Sequence, residues 1–194
     1  MQRAVAFARE LGCTTRSGFD PTPPLVSAEF SDVVLEWARL NICSRDDDGI
    51  AGRCMHITNE FVGFLRGAGL DAIFTLGWMS YQDEPVYQFS PDDVRLWLAE
   101  GIRDRQSMNV HAWATLPSAE IVDPSWLSTV GIVQNRRHLV GAVIIADPAQ
   151  ETSHQYHPVA VDTDVLYRIG LLNADYRRAP LQMAPSERVL SLVG

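Results

Sequence analysis

A chain of 194 residues, 46% hydrophobic and 21% charged, can bury one good core, so disorder throughout is excluded and a single domain is expected. The net charge of −8 argues against broad binding to nucleic acid or to an anionic membrane, both of which need a basic footprint. All sixteen basic residues are arginine, which excludes a P-loop lysine, a lysine Schiff base and a lysine amine donated by the chain to its own isopeptide bond.

The three cysteines are odd in number and lack CxxC spacing, so no disulfide framework is expected and a reducing compartment, the cytoplasm, is the default. Residues 1–12 carry Arg3, Arg9 and Glu10 and hold no unbroken apolar core, unlike a cleaved signal peptide. No apolar run approaches the length of a membrane span. These rules leave open export by a route that uses no cleaved apolar signal.

In chain order, residues 1–11 read as a short helix with Val5, Ala8 and Leu11 on one side, and 12–24 as an extended linker rich in proline, together forming an N-terminal arm over 1–26. Phe30, Val33, Val34, Trp37, Ala38 and Leu40 predict a helix over 27–42 with a wide apolar face, packed beside the next helix. Residues 44–49 are a charged turn; the EF-hand pattern fails because Met55 stands where its closing glutamate belongs. A helix then opens at Cys54, with Ile57, Phe61, Phe64, Leu65 and Ala68 at three-and-four spacing, and Gly67 and Gly69 close it.

A strand is predicted over 71–81 and a loop over 82–85. A helix running toward Arg103 follows, started by Ser90, Pro91 and Asp92. Residues 110–116 and 120–122 form a hairpin across Pro117-Ser118. Further on, 139–146 reads as a buried strand, 156–161 as another, and 162–172 as a helix capped by Asp162 or Thr163. The tail, 176–194, has no firm periodicity. The class is α+β, with 27–175 as the main domain.

Chemistry concentrates at two places. Cys54 stands in the first turn of its helix, where unpaired N–H groups and the macrodipole favour a thiolate. A thiolate nucleophile needs a base and a group to hold that base. His111 and Asp123 lie near one end of the predicted hairpin and supply both. Glu120 would point to the opposite face of its short strand, so Asp123 is preferred. His56 lies on a different side of the helix from the sulfur and reads as a core or supporting residue. His154-x-x-His157 has metal spacing but no cysteine or acidic partner beside it, so no metal is assigned. Cys13 and Cys43 read as structural.

Gly52-x-Cys54 opening a helix, Leu65-Arg66-x-x-Gly69-Leu70 closing it, a strand, then His111-Ala112-Trp113 and Asp123-Pro124-Ser125 together resemble the transglutaminase-like superfamily of Cys–His–Asp enzymes, over roughly residues 50–126. Two places differ from the family pattern: Asp71-Ala72-Ile73 where Pro-Ala-Arg is common, and Ala114-Thr115 where Val-Glu follows the tryptophan. The resemblance implies a papain-like fold, with the nucleophile helix packed on an antiparallel sheet. It implies Cys54 as nucleophile, His111 as base and Asp123 as its orienting partner, with no metal or organic cofactor. The implied activity is acyl transfer from an amide through a thioester, on a protein or peptide substrate: glutamine deamidation, cross-linking or amide hydrolysis.

With no accessory domain in view, a compact hydrolase or deamidase is expected over a large cross-linker. The N–H of Cys54 is one natural oxyanion donor. Trp37 and Asn41 are candidates for the second, and Trp113 for a cleft wall or an ordinary core tryptophan. Two other readings stand beside this one. Arylamine N-acetyltransferases use the same trio, although Ala51-Gly52-Arg53 departs from their Arg-Gly-Gly. A non-catalytic binding module could keep the same scaffold.

Overall fold

The computed structural model describes residues 1–15, 23–101, 109–147 and 153–172; the expected tail at 176–194 and most of the 12–24 linker lie outside these. The protein is α+β. In chain order the elements are α1 (Gln2–Glu10), α2 (Ala28–Asn41), α3 (Cys54–Gly67), β1 (Ile73–Tyr81), β2 (Glu84–Val86), α4 (Pro91–Glu100), β3 (His111–Thr115), β4 (Ile121–Asp123), α5 (Trp126–Val133), β5 (Ile144–Ala146), β6 (His154–Val161) and α6 (Asp164–Arg168). Two compact units emerge from their contacts. Of the described residues, 1–15, 74–112 and 153–172 make up one, and 23–73 and 113–147 the other.

The first unit is built on β1, which pairs antiparallel with β2 on one side and β6 on the other. Gln82 and Asp83 take positive φ between Tyr81 and its partner Glu84, so 82–85 is a tight hairpin turn entering β2 and not an open loop. The β1–β6 register shifts between Leu76 and Gly77, where Val159 of β6 is the extra, bulged residue. Helix α1 packs on β6 through its buried Ala4, Val5, Phe7 and Ala8. Helix α4 starts as expected: Ser90 and Asp93 form a reciprocal capping box. Arg95 of α4 reaches back to Glu10 and lies over the Phe7 ring at 4.9 Å. Helix α6 begins at Asp164 with Thr163, the second of the two expected residues, in the N-cap position, though the Thr163 side chain makes no capping hydrogen bond. Asp162 takes φ +65 and gives its N–H to the Phe74 carbonyl at 2.7 Å, so it ends a strand instead of capping a helix.

The second unit holds α2 and α3 together with the antiparallel run of β3 from Trp113 onward, β4 and β5; His111 and Ala112 count with the first unit. Ser27 caps α2 by accepting from the Phe30 N–H at 3.1 Å. The expected packing of α2 beside α3 is present: Trp37 meets Phe61 edge-on at 4.8 Å and Phe64 at 6.3 Å. Truncating a tryptophan so enclosed costs about 3–5 kcal/mol.

The apolar run at 139–146 does not form one strand. Only Ile144–Ala146 pairs as a strand, and it is half-buried. Gly141 breaks the run at φ +86, and any side chain there would collide with Cys43 Sγ. Helix α5 is an element that apolar periodicity does not reveal; a side chain from β4 starts it.

Candidate active-site residues

Cys54 is the first residue of α3 and is 9% exposed. The chain arrives through Gly52, at φ +69, and Arg53, both exposed. A Cβ at Gly52 would meet nothing within 4 Å, so backbone conformation and not crowding selects glycine there. The Arg53 carbonyl accepts from the N–H groups of His56 and Ile57, each at 3.0 Å, which closes the first turn. Ile57, Phe61, Phe64 and Leu65 then bury one face of the helix and fix the end that carries the sulfur. Side chains of a helix lean toward its N-terminus, so the thiol projects beyond the first turn, on the positive side of the macrodipole.

His56, two residues on, is half-exposed, and its pKa is lowered to about 4 by burial first, then by the charges of Arg53 and Arg45. A ring so weakly basic is a poor acceptor for a thiol proton near neutrality.

Asp123 is the last residue of β4 and fully buried. Its Oδ1 accepts from the Ser125 N–H at 3.0 Å, the Ser125 hydroxyl at 3.2 Å and the Trp126 N–H at 3.1 Å. Pro124, which has no N–H, stands between Asp123 and these donors, and the bonds anchor the start of α5. A carboxylate held by three donors on one oxygen cannot rotate freely.

Glu120, the competing acid, has a different task. Its carboxylate accepts from the N–H of Leu25 at 2.8 Å, the N–H of Val26 at 3.2 Å and the Ser118 hydroxyl at 2.5 Å. It ties the segment before α2 to the β3–β4 turn.

His111 opens β3 and is 1% exposed. The ring of Tyr87 stacks on it at a centroid distance of 6.0 Å and an interplanar angle of 26°. Trp113 lies two residues along the same face of β3 and is fully buried. Ala114 pairs with Val122 and Thr115 with Ile121; one more step of that register sets Asp123 across from Trp113.

Trp37 is enclosed by the α2–α3 aromatic cluster, and Asn41 gives an Nδ2 hydrogen to the Trp37 carbonyl at 2.9 Å, leaving the other amide hydrogen as its candidate oxyanion donor. Cys54, Trp37, Asn41, Trp113 and Asp123 thus belong to one unit and His111 to the other, beside Tyr87. Sequence reasoning missed Tyr87, since nothing in the residues around it marks a tyrosine that will stack on a distant histidine.

His154 and His157 face opposite ways on β6. His157 stacks on Trp78 at 3.8 Å, with the Ser80 hydroxyl 3.3 Å from its Nε2, and burial lowers its pKa. His154 lies against Tyr81 at 4.8 Å. Three-residue spacing that suits a helix separates ligands on a strand. Among the described residues no group of three His, Cys, Asp or Glu side chains gathers to hold a metal, and no helix is long and apolar enough to cross a membrane. The three cysteines, all described, form no disulfide; Cys13 is buried and Cys43 exposed. No protein-family model matches the chain, and neither a curated protein nor a solved structure shows detectable similarity to it.

Proposed function

We propose that this protein is a cysteine-dependent acyl-transfer enzyme acting on amide bonds, with Cys54 as nucleophile, His111 as general base and acid, and Asp123 as the carboxylate that orients the ring. The observation that carries the reading is the placement of Cys54 as the first residue of a 14-residue helix with a buried face, next to an exposed approach through Gly52 and Arg53. Thiolates gain most from a helix N-terminus at that position. The fixed carboxylate of Asp123 and the low basicity of His56 add support, the first by supplying an orienting group and the second by removing the histidine nearest Cys54 in sequence as a competing base.

In the reaction, His111 takes the Cys54 thiol proton and the sulfur attacks the amide carbonyl. The tetrahedral oxyanion is met by the N–H of Cys54 and a second donor, for which Asn41 and Trp37 are candidates. His111 then returns the proton to the leaving amine as the C–N bond breaks, leaving a thioester. Water or an amine, deprotonated by His111, attacks that thioester and releases the thiolate. Deamidation or cross-linking of a glutamine side chain and hydrolysis of an amide share these steps and differ only in acceptor and cleft. The combination resembles the transglutaminase-like superfamily, and a protein or peptide is the substrate class it implies.

Competitive iodoacetamide labelling tests the proposal without a known substrate. Accessibility alone makes the exposed Cys43 the faster site, because Cys54 is nearly buried. An activated thiolate reverses that order, with Cys54 faster by about tenfold or more, and His111→Ala restores the accessibility order. Cys54 reacting no faster than Cys43 in the native chain would refute the proposal and leave the non-catalytic module in its place.

A further inference from the structure

The backbone at Tyr87 sits at φ +57, in the left-handed region that glycine and asparagine enter most easily and a bulky aromatic residue rarely does. The residues that flank it on either side are anchored. Val86 before it is paired with Met79 in the β1–β2 hairpin, and Phe89 after it is buried against Trp97 of α4, just ahead of the Ser90 cap. A turn that only had to redirect the chain from β2 to α4 would be better served by glycine. The residue present is a tyrosine whose ring stacks on His111, and backbone strain of this kind concentrates where a side chain has work to do.

We infer that Tyr87 is a positioning residue for His111: its ring restrains the imidazole on one face and favours the imidazolium that forms when the base takes a proton. Resting on the reading of His111 as the base, the inference adds a residue to that site. An aromatic face attracts a cation, and a stacked neighbour removes ring orientations in which the wrong nitrogen faces the reacting group. Tyr87 touches neither sulfur nor substrate in this account; it acts through His111.

Tyr87→Gly and Tyr87→Phe separate the side chain from the backbone. Glycine relaxes the positive φ and deletes the stack, whereas phenylalanine keeps both the ring and the strained backbone. The expected result is a fall of about two- to tenfold in Cys54 alkylation rate for Tyr87→Gly, the range that an aromatic pair supports, with Tyr87→Phe close to the parent. Proton NMR of the His111 ring supplies a readout independent of catalysis: the upfield ring-current shift from the stacked tyrosine should vanish in Tyr87→Gly and persist in Tyr87→Phe. Circular dichroism establishes that both variants fold. Unchanged His111 resonances in Tyr87→Gly would overturn the inference, as would alkylation at the parental rate in that variant or slow alkylation in Tyr87→Phe. If Cys54 of the parent shows no enhanced reactivity, the function proposed above fails, and the NMR comparison still decides whether the stack holds His111.

Discussion

Replacing Glu120 by alanine removes a carboxylate that gathers three donors from two places in the chain: the N–H groups of Leu25 and Val26, and the hydroxyl of Ser118. Glu120 is 7% exposed, so its acceptor oxygens are not readily replaced by water. A hydrogen bond to a charged group contributes about 1.5–3 kcal/mol, and three of them set an upper limit well above what is measured when donors rehydrate. Leu25, Val26 and Ser118 are only half-buried, so water can reach part of what the carboxylate leaves. We therefore expect Glu120→Ala to lower stability by about 2–3 kcal/mol, and Glu120→Gln by about 1–2 because one amide group faces donors with a donor of its own. For a chain of this size the alanine change corresponds to about 4–12 °C in Tm. Urea denaturation gives the global loss, and hydrogen exchange at the Leu25 and Val26 amides reports whether the segment before α2 lets go first. A Glu120→Ala protein within about 0.5 kcal/mol of the parent, with those two amides exchanging no faster, would refute the reasoning.

Three further outcomes follow from strained or desolvated positions. Because His56 has its pKa lowered to about 4 in the folded state, the unfolded chain binds its proton first. The contribution of the neutral ring is present above about pH 6.5 and is lost as the pH falls through about 4; screening of the half-exposed ring reduces it to about 1–2 kcal/mol. The difference between urea midpoints at pH 7.5 and 4.5 should shrink accordingly in His56→Gln, and an unchanged difference would contradict the assignment. Ala119 turns the β3–β4 hairpin at φ +73, so Ala119→Gly should raise stability by about 0.5–1 kcal/mol, read from the same urea curves. Gly141→Ala adds a Cβ against Cys43 Sγ at φ +86 and should cost about 2–4 kcal/mol; adding Cys43→Ala should recover the steric part while leaving the cost of the backbone conformation.

Helices α2, α3 and α4 were legible because each states its own case locally: Ser27 and Ser90 are caps, and the apolar residues of α2 and α3 recur at helical spacing. Strands β1, β3 and β6 were legible as runs of strand-forming residues between turns. The missed elements β2 and α5 are short and have no periodicity of their own, resting instead on a partner a few residues away. Strand β2 exists because β1 offers it an edge, and α5 starts where the Asp123 carboxylate caps it. The continuous apolar run at 139–146 was misleading for a long-range reason: where it breaks, Gly141 comes close to Cys43, roughly a hundred residues away.

By itself, then, the sequence determined the α+β class, the helix that Cys54 opens, and the residue types able to serve as nucleophile, base and orienting acid. Those rest on periodicity and on chemistry that each side chain carries wherever it goes. Tertiary structure alone decided which carboxylate ties distant segments together and which histidine is weakened: Glu120 holds the chain before α2, and His56 loses basicity to burial and two arginines. It also placed a strained tyrosine against His111. Hydrogen-bond partners, desolvation and backbone strain are properties of a neighbourhood, and a neighbourhood exists only once distant segments have packed together.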